Sequence, residues 1–276
     1  TQLKLYQSAG IETDHECFNY DEALEKINLG MKVIIREGSA AKNYAVLAPL
    51  IQSHPNQLMF CSDDKHPDDL LHGHINQQVS RAIQDGYDPY DVLTIACINP
   101  RRHYSLAGGQ LRLNDSADFI TVSDLDTCTV EDVYVKGELM AQNGKPLFET
   151  KKAEIINNFN ARKISVADLS VRALSDTIAV IEALDGQLIT NAITFKARIL
   201  DDKVIADAKN DILKIVVVNR YQPSPPAIGF VKGFGLKAGA MASCVAHDSH
   251  NIIAVGVDDA SICTVVNKVI DQKGGI

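Results

Sequence analysis

Apolar and polar positions along the first 107 residues alternate in a way that predicts helices and short buried strands in turn. In residues 19–30, acidic residues come first, apolar residues at helical spacing follow, and a glycine ends the segment, which is typical of a capped helix. The same alternation continues with strands expected in 31–40 and 56–64 and helices in 40–54, 69–86 and 88–106. This order predicts parallel strands joined by crossover helices.

Charged clusters follow the predicted strands. They lie at residues 13–16, 36–39 and 62–64, each directly after an apolar segment. In parallel α/β folds the carboxyl ends of the strands share one edge, where ligands and substrates bind. We therefore expect the functional groups of this part of the chain at that edge.

The remainder of the chain has a different pattern. Residues 108–145 contain short alternating segments with turns at Lys136-Gly137 and Asn143-Gly144, which predicts antiparallel hairpins. The polar stretch 146–163 is predicted to be a linker. Residues 164–276 contain further strands and a closing helix whose apolar positions recur at helical spacing.

Composition excludes some classes of function. The 276 residues are 46% hydrophobic and 22% charged, which is ordinary for a soluble globular protein, and the net charge of −8 argues against nucleic acid as a partner. No apolar run has the ~18–20 residues of a membrane span, and no segment resembles a signal peptide. The six cysteines form no CxxC pair, which favours reduced thiols and a cytoplasmic location.

His15 and Asp63 are the candidate metal ligands. His15 lies between Asp14 and Glu16, and a neighbouring carboxylate can orient a metal-binding imidazole. Asp63 follows a strand, where a carboxylate can bind a divalent cation or move a proton. The alternatives are a loop of capping groups around His15 and acids that only cap the helix after Asp63.

Other histidines give weaker signals. His72 and His74 form an HxH pair, but residues two apart in the predicted helix 69–86 face different directions, so we exclude them as a metal pair. His247 and His250 either share a face or lie in a polar loop between strands. The sequence contains neither a phosphate-binding G-x-x-x-x-G-K-[ST] loop nor a G-x-S-x-G nucleophile motif.

Several long segments resemble the bacterial adenine deaminase family of the amidohydrolase superfamily. The segments stand in register over most of the chain and read AGIETDHE, GMKVIIREGSAAKN, DDKHPDDLLHGHIN, ADFITVSDLD, PPAIGFVKGFGLKAGAMASCVAHDSHNIIAVG and NKVIDQKGGI. The resemblance implies an α/β fold: part of a metal-dependent (β/α)8 barrel, a small β-sandwich segment and an α+β C-terminal domain. It places the last barrel units in 1–107, the sandwich segment in 108–145, the linker in 146–163 and the incomplete C-terminal domain in 164–276.

The resemblance also implies an activity, which is metal-dependent hydrolysis of adenine to hypoxanthine and ammonia in purine salvage. His15 matches a metal-binding histidine at the end of barrel strand 6, and Asp63 matches the aspartate after strand 8 that binds metal and moves a proton. Mn²⁺ is the expected metal, with Fe²⁺ or Zn²⁺ as alternatives, in a binuclear centre. Expected pocket residues are Arg36, Glu37, Ser39, His247 and His250.

One departure limits what this chain is expected to do alone. The family's paired HxH histidines, its bridging acidic ligand and another histidine fall in an upstream barrel segment, so we expect this segment by itself to be inactive. Its open sheet edges would need the rest of the enzyme or a homodimer to cover them. The alternatives are a truncated non-catalytic homologue and an amidohydrolase acting on another purine or a cyclic amide.

Overall fold

In the computed structural model, which describes residues 2–149, 151–154, 156–185 and 188–276, the chain divides into unit 1, residues 1–152, and unit 2, residues 153–276. Unit 1 begins with alternating short helices and strands. They are α1 (Gln2–Ser8), β1 (Thr13–Asp14), α2 (Tyr20–Asn28), β2 (Lys32–Arg36), α3 (Tyr44–Leu47), α4 (Leu50–Ser53), β3 (Leu58–Cys61), α5 (Pro67–Leu70), α6 (Ile75–Gln84), α7 (Pro89–Leu93) and α8 (Asn99–His103).

The strands β1, β2 and β3 form a parallel sheet in that order, as the alternating pattern predicts. Arg36 is paired with Cys61, so the carboxyl ends of β2 and β3 lie side by side, whereas Asp14 at the end of β1 is paired with Val33, three residues before the end of β2. Apolar side chains of the strands pack against the helices in one core. Its buried members include Val33, Ile35, Leu47, Ile51, Leu58, Phe60, Val79, Ala82, Val92 and Ile95.

The predicted helix in residues 19–30 is confirmed as α2. Asn19 caps it, since its side-chain oxygen accepts the Glu22 N–H at 2.8 Å and satisfies a donor that the first turn leaves free. Ala23 and Ile27 are buried in the core. Gly30 follows with φ of +88°, a backbone conformation that favours glycine.

Two other predicted helices are interrupted. The segment 40–54 forms two short helices, α3 and α4, which are separated at Pro49 because proline cannot donate the hydrogen bond that would join them. The segment 69–86 is also divided, with α5 and α6 on either side of a turn. His72 and His74 lie in that turn, so the reason given above for excluding them, a position inside one helix, is wrong. His74 instead shares a 2.8 Å hydrogen bond between its Nε2 and Ser62 Oγ.

The last part of unit 1 is an antiparallel sheet of hairpins. Its strands are β4 (Phe119–Val122), β5 (Val130–Val135), β6 (Glu138–Gln142) and β7 (Lys145–Pro146), paired in sequence order. The turns predicted at Lys136-Gly137 and Asn143-Gly144 are confirmed, and all four of these residues have positive φ.

Unit 2 is built on a six-stranded sheet with a helix packed on it. The strands described in unit 2, six of them in this sheet, are β8 (Thr177–Ala183), β9 (Thr190–Lys196), β10 (Arg198–Leu200), β11 (Lys203–Ile205), β12 (Leu213–Val218), β13 (Ala227–Lys232), β14 (Ala240–Ser243) and β15 (Ile252–Gly256). The sheet order is β14-β15-β12-β13-β8-β9, while β10 and β11 form a separate hairpin. The helix is α9 (Asp259–Gln272), whose Ile262, Val266 and Val269 are buried against the sheet.

The α/β fold class is therefore confirmed, with a parallel βα segment in unit 1 and a larger mixed sheet in unit 2. None of the helices in the described parts of the chain is both long enough and apolar enough to cross a membrane.

Candidate active site

The carboxyl edge of the parallel sheet brings together side chains that are far apart in sequence. His15 directly follows β1, Arg36 is the last residue of β2, and Asp63 lies two residues after β3. Parallel pairing places the ends of β2 and β3 next to one another, and the segment after β1 brings His15 to the same edge. The two candidate metal ligands of the sequence, His15 and Asp63, consequently face each other.

The distances within this cluster are short. His15 Nε2 lies 3.6 Å from Asp63 Oδ1 and 3.4 Å from Glu16 Oε1. The Asp63 side chain is 24% exposed and that of His15 is 46% exposed, so both border an open surface rather than the core. An imidazole nitrogen and carboxylate oxygens therefore converge on one region that solvent can reach.

Arg36 lies beneath these groups and holds two carboxylates. Its side chain is only 7% exposed. The guanidinium donates to both oxygens of Glu16, at 2.9 and 2.7 Å, and to Asp63 Oδ2 at 3.0 Å. Such a forked arrangement fixes the direction of both acids, which a lysine could not do. Arg36 thus acts within the cluster as a support for Glu16 and Asp63.

The backbone around the cluster is fixed by Asn43, which the sequence did not single out. Asn43 is buried, and its oxygen accepts the backbone N–H of Arg36 at 2.8 Å. Its amide nitrogen donates to the carbonyl of Cys17 at 3.0 Å and to that of His15 at 3.4 Å. One side chain therefore joins the segment after β1 to the end of β2. No pattern in the sequence signals this role, because asparagine is common in loops.

Asp63 itself has φ of +48°, a left-handed conformation that aspartate tolerates better than most residues. Gly38 allows the neighbouring segments to approach closely, since a Cβ at this position would lie 2.2 Å from Asp64 Oδ1. The loops that follow β2 and β3 therefore meet closely at Gly38, where a larger residue would have to displace the Asp64 side chain.

Glu37 and Ser39 make their hydrogen bonds away from His15. Glu37 accepts the Tyr44 N–H at 3.2 Å and pairs with Arg81 Nη1 at 3.2 Å. Ser39 Oγ donates to Asp69 and accepts the His66 N–H. Glu37 lines a cleft of about 250 Å³ between the loops that follow β2 and β3. The other residues of this cleft are Gly38, Lys42, Lys65, Asp69, His72, His74, Gln77, Gln78 and Arg81.

His247 and His250 belong to unit 2 and lie in the exposed loop between β14 and β15. His247 Nδ1 is 3.3 Å from Asp248 Oδ1, and both side chains are largely exposed. Asp248 and His250 both have positive φ. This geometry corresponds to the polar-loop alternative of the sequence analysis, and the pocket role of these histidines stays a prediction.

A second cluster of potential ligands lies beside β1. One ligand atom each from Asp14, Cys17 and Glu22 lies within 4.8 Å of the others. The ammonium of Lys26 already occupies this cluster, with Nζ 2.6 Å from both Asp14 Oδ2 and Glu22 Oε1. Because a cation is built into the cluster, we do not regard it as a metal site.

The donor set at the sheet edge does fit a divalent ion. His15 Nε2 and Asp63 Oδ1 point at the same region, and the Glu16 carboxylate borders it. Nitrogen and oxygen donors of this kind suit Mn²⁺, Fe²⁺ and Zn²⁺. His15 and Asp63 are the residues of this chain that would hold such an ion.

Comparison with known proteins agrees with this arrangement. A family profile described as "Amidohydrolase family" matches residues 6–140, and one described as "Adenine deaminase C-terminal domain" matches residues 187–276. A curated adenine deaminase from Salinibacter ruber (strain DSM 13855 / M31) is 50% identical over 272 residues, which cover 98% of this chain and 50% of that protein. The adenine deaminase of Sulfurovum sp. (strain NBC37-1) is 50% identical over 275 residues, or 100% of this chain and 50% of that protein.

The chain belongs to the adenine deaminase family. It spans about half the length of the curated adenine deaminases that it matches. A curated adenine deaminase from Methanosarcina mazei (strain ATCC BAA-159 / DSM 3647 / Goe1 / Go1 / JCM 11833 / OCM 88) is 45% identical over 287 residues, which cover 99% of this chain and 52% of that protein. The resemblance noted in the sequence is thereby confirmed, and amidohydrolase membership indicates a divalent metal.

Solved structures give a weaker likeness. Two crystal structures of a β-aspartyl dipeptidase from Fervidobacterium islandicum AW-1 each cover 48% of this chain. Their sequences are 18% and 20% identical to this chain, and their TM-scores are 0.38 and 0.40. The matched regions make up 39% and 37% of the dipeptidase chains.

Proposed function

We propose that this chain is part of an adenine deaminase that hydrolyses adenine to hypoxanthine and ammonia. Two findings support the proposal: curated relatives at 45–50% identity carry that name, and His15 and Asp63 converge at the carboxyl edge of the parallel sheet. The convergence is the observation that carries it, because it brings a potential metal ligand and a potential proton carrier together at the sheet edge where parallel α/β folds bind ligands and substrates.

In this proposal Asp63 is the proton carrier and His15 a metal ligand. A bound divalent ion would lower the pKa of water from about 15.7 toward ~7 and so supply a nucleophile at neutral pH. Asp63 would take the proton that the attacking water loses and deliver it to a ring nitrogen of adenine as C6 becomes tetrahedral. The remaining proton of that water would pass to the exocyclic amine as the C6–N bond breaks, so that ammonia leaves and the C6 carbonyl of hypoxanthine forms. Arg36 holds Asp63 in position through its 3.0 Å hydrogen bond to Oδ2.

The finer expectations belong to the same proposal. Residues 1–107 would be the last βα units of a closed (β/α)8 barrel, 108–145 a sandwich segment, 146–163 a linker and 164–276 part of a C-terminal domain. The metal would be Mn²⁺ in a binuclear centre completed by an upstream segment with the HxH motif. Arg36, Glu37 and Ser39 would border the adenine pocket of a cytoplasmic homodimer active in purine salvage.

The test is turnover of adenine by the full-length protein that contains this chain, loaded with Mn²⁺ and followed by ultraviolet absorbance. We expect Asp63→Asn to lower kcat by about 10²- to 10⁴-fold, the range that a positioned acid or base contributes. Asp68→Asn is the matched control, since Asp68 is an exposed acid in the first turn of α5, five positions after Asp63, and it should retain activity.

Other results would change the proposal. Turnover of a different purine or a cyclic amide, without turnover of adenine, would keep the metal hydrolase and replace the substrate. A metal-loaded full-length protein that converts none of these would favour the non-catalytic alternative. Equal kcat in Asp63→Asn and wild type would remove Asp63 from the chemistry.

A further inference from the structure

Lys26 has a buried ammonium in a position where lysine is rarely found. It lies on α2 with a side chain that is only 10% exposed. Its Nζ donates to Asp14 Oδ2 at 2.6 Å, to Glu22 Oε1 at 2.6 Å and to Cys17 Sγ at 3.4 Å. Each of the three N–H groups of the ammonium therefore has an acceptor, which a buried charge requires.

This cluster is linked to the backbone on both sides of His15. Asp14 immediately precedes His15 and uses both carboxylate oxygens. Oδ2 receives the ammonium, and Oδ1 accepts the backbone N–H of Glu16 at 2.6 Å. The Asp14 side chain thus ties residues 14 and 16 to α2, while His15 lies between them. Asn43 also holds this segment, through hydrogen bonds to the carbonyls of His15 and Cys17.

The ammonium of Lys26 keeps its charge at neutral pH. Burial by itself would lower the pKa of Lys26, but its hydrogen bonds to Asp14 and Glu22 outweigh burial and the pKa is raised. Burial, with the nearby Asp14 charge, raises the pKa of Cys17 to about 11, so the thiol stays protonated. The cluster contains one cation and two carboxylates, and the cation stands where the three ligand atoms would otherwise be free to bind a metal.

We propose that Lys26 is a positioning residue for the metal site: its ammonium fixes the Asp14 carboxylate, aims His15 at Asp63, and keeps Asp14 from binding the metal itself. This inference rests on the proposed function, because it assumes that His15 is a metal ligand. Partners that orient a metal ligand typically contribute 10- to 100-fold to metal affinity or activity, and Lys26 would do so through one intervening residue.

The test uses the full-length protein and three variants. Lys26→Met removes the charge and keeps the stem, and Lys26→Arg keeps the charge in a different shape. Lys32→Met is the matched control, since Lys32 lies in the same unit and its Nζ donates only to the Asn56 carbonyl among the described residues. Mn²⁺ affinity is measured by titration calorimetry, kcat and KM for adenine by absorbance, and Tm by calorimetry.

We expect Lys26→Met to weaken Mn²⁺ binding by about 10- to 100-fold and to lower kcat at limiting metal, with KM for adenine changed by less than about threefold. Lys26→Arg should recover part of the affinity, and Lys32→Met should match wild type. Unchanged Mn²⁺ affinity in Lys26→Met, even with a lower Tm, would overturn the inference and leave Lys26 a purely structural residue.

Two additions keep the result interpretable. If Lys26→Met does not fold, Asp14→Asn replaces it, because the amide oxygen still accepts the Glu16 N–H while the ion pair is lost. Co²⁺ used as a probe distinguishes the sites, since a thiolate-to-metal absorption band in Lys26→Met would reveal capture by Cys17 in the vacated cluster. That band would support the claim that the ammonium excludes metal from Asp14.

The inference and the proposed function fail separately. Wild-type protein that binds Mn²⁺ without converting adenine would reject the substrate, while the ratio of affinities would still test Lys26. Wild-type protein that binds no divalent ion would overturn both. Normal adenine turnover with equal Mn²⁺ affinity in wild type and Lys26→Met would overturn only the inference.

Discussion

At the end of β2, Arg36 and Asn43 organise the candidate site in different ways. Arg36 works through charge, because its guanidinium holds the Glu16 and Asp63 carboxylates. Asn43 works through the backbone, because its amide joins the Arg36 N–H to the carbonyl of Cys17. Both residues are buried, so a substitution at either leaves polar groups without partners in a place where water does not replace them.

Asn43→Ala should loosen the backbone of the site. The Arg36 N–H and the Cys17 carbonyl lose their partners, and a buried group left without one typically costs about 1–3 kcal/mol. We expect faster hydrogen exchange in peptides covering residues 33–37, measured by mass spectrometry on the full-length protein. Asn28→Ala, at the exposed end of α2, is the control and should leave those peptides unchanged. Equal exchange in Asn43→Ala and wild type would show that Asn43 does not hold this segment.

At the residue scale, the sequence predicts the two candidate metal ligands better than the residues that hold them in position. His15 and Asp63 could be found because charge follows apolar strands, and both signals point to the carboxyl edge of a parallel sheet. Lys26 gave no such signal, because a lysine on a helix is ordinarily exposed, and its partner Asp14 is twelve positions away. Glu37 and Ser39 have the right position in the chain, yet their hydrogen bonds go to Arg81 and Asp69.

At the scale of helices and strands, the accuracy of each predicted helix depends on the residues that begin, interrupt or end it. The helix α2 was predicted well because Asn19 and the acidic first turn give local capping signals. The segment 40–54 was predicted as one helix, although Pro49 removes a hydrogen-bond donor in its middle. The segment 69–86 looked periodic throughout, but Gly73 has φ of +149°, which no helix accommodates. Such interruptions of a helix can be predicted when proline and glycine residues are given priority over hydrophobic periodicity.

The helix α9 supplies a test at the same scale. Asp258 caps it, accepting the Ser261 N–H at 2.7 Å, and three of its apolar residues pack on the sheet of unit 2. Asp258→Ala should lower the free energy of opening of α9 by about 0.5–2 kcal/mol, the usual value of such a cap. Native-state hydrogen exchange of α9 measures it. Asp248→Ala, in an exposed loop, is the control, and identical protection of α9 in both variants would contradict the capping role.

For the whole molecule, the parallel sheet of unit 1 leaves both outer edges without a strand partner among the described residues. Large apolar side chains are also exposed in this unit, among them Leu5, Phe18, Leu71 and Leu113. Parallel strands are normally covered on both faces and continued at their edges. Coverage by the rest of the enzyme or by a second copy, as the sequence analysis expects, therefore stays a prediction that these open edges support.

The central claim is that His15 and Asp63 hold a divalent ion at the carboxyl edge of the sheet. Anomalous diffraction from crystals of the Mn²⁺-loaded full-length protein tests it most directly, because the method locates the metal without assuming a substrate. The account predicts an anomalous peak within bonding distance, about 2.0–2.3 Å, of His15 Nε2 and an Asp63 carboxylate oxygen. A peak beside Asp14, Cys17 and Glu22 instead, or none near His15 at saturating Mn²⁺, would contradict it.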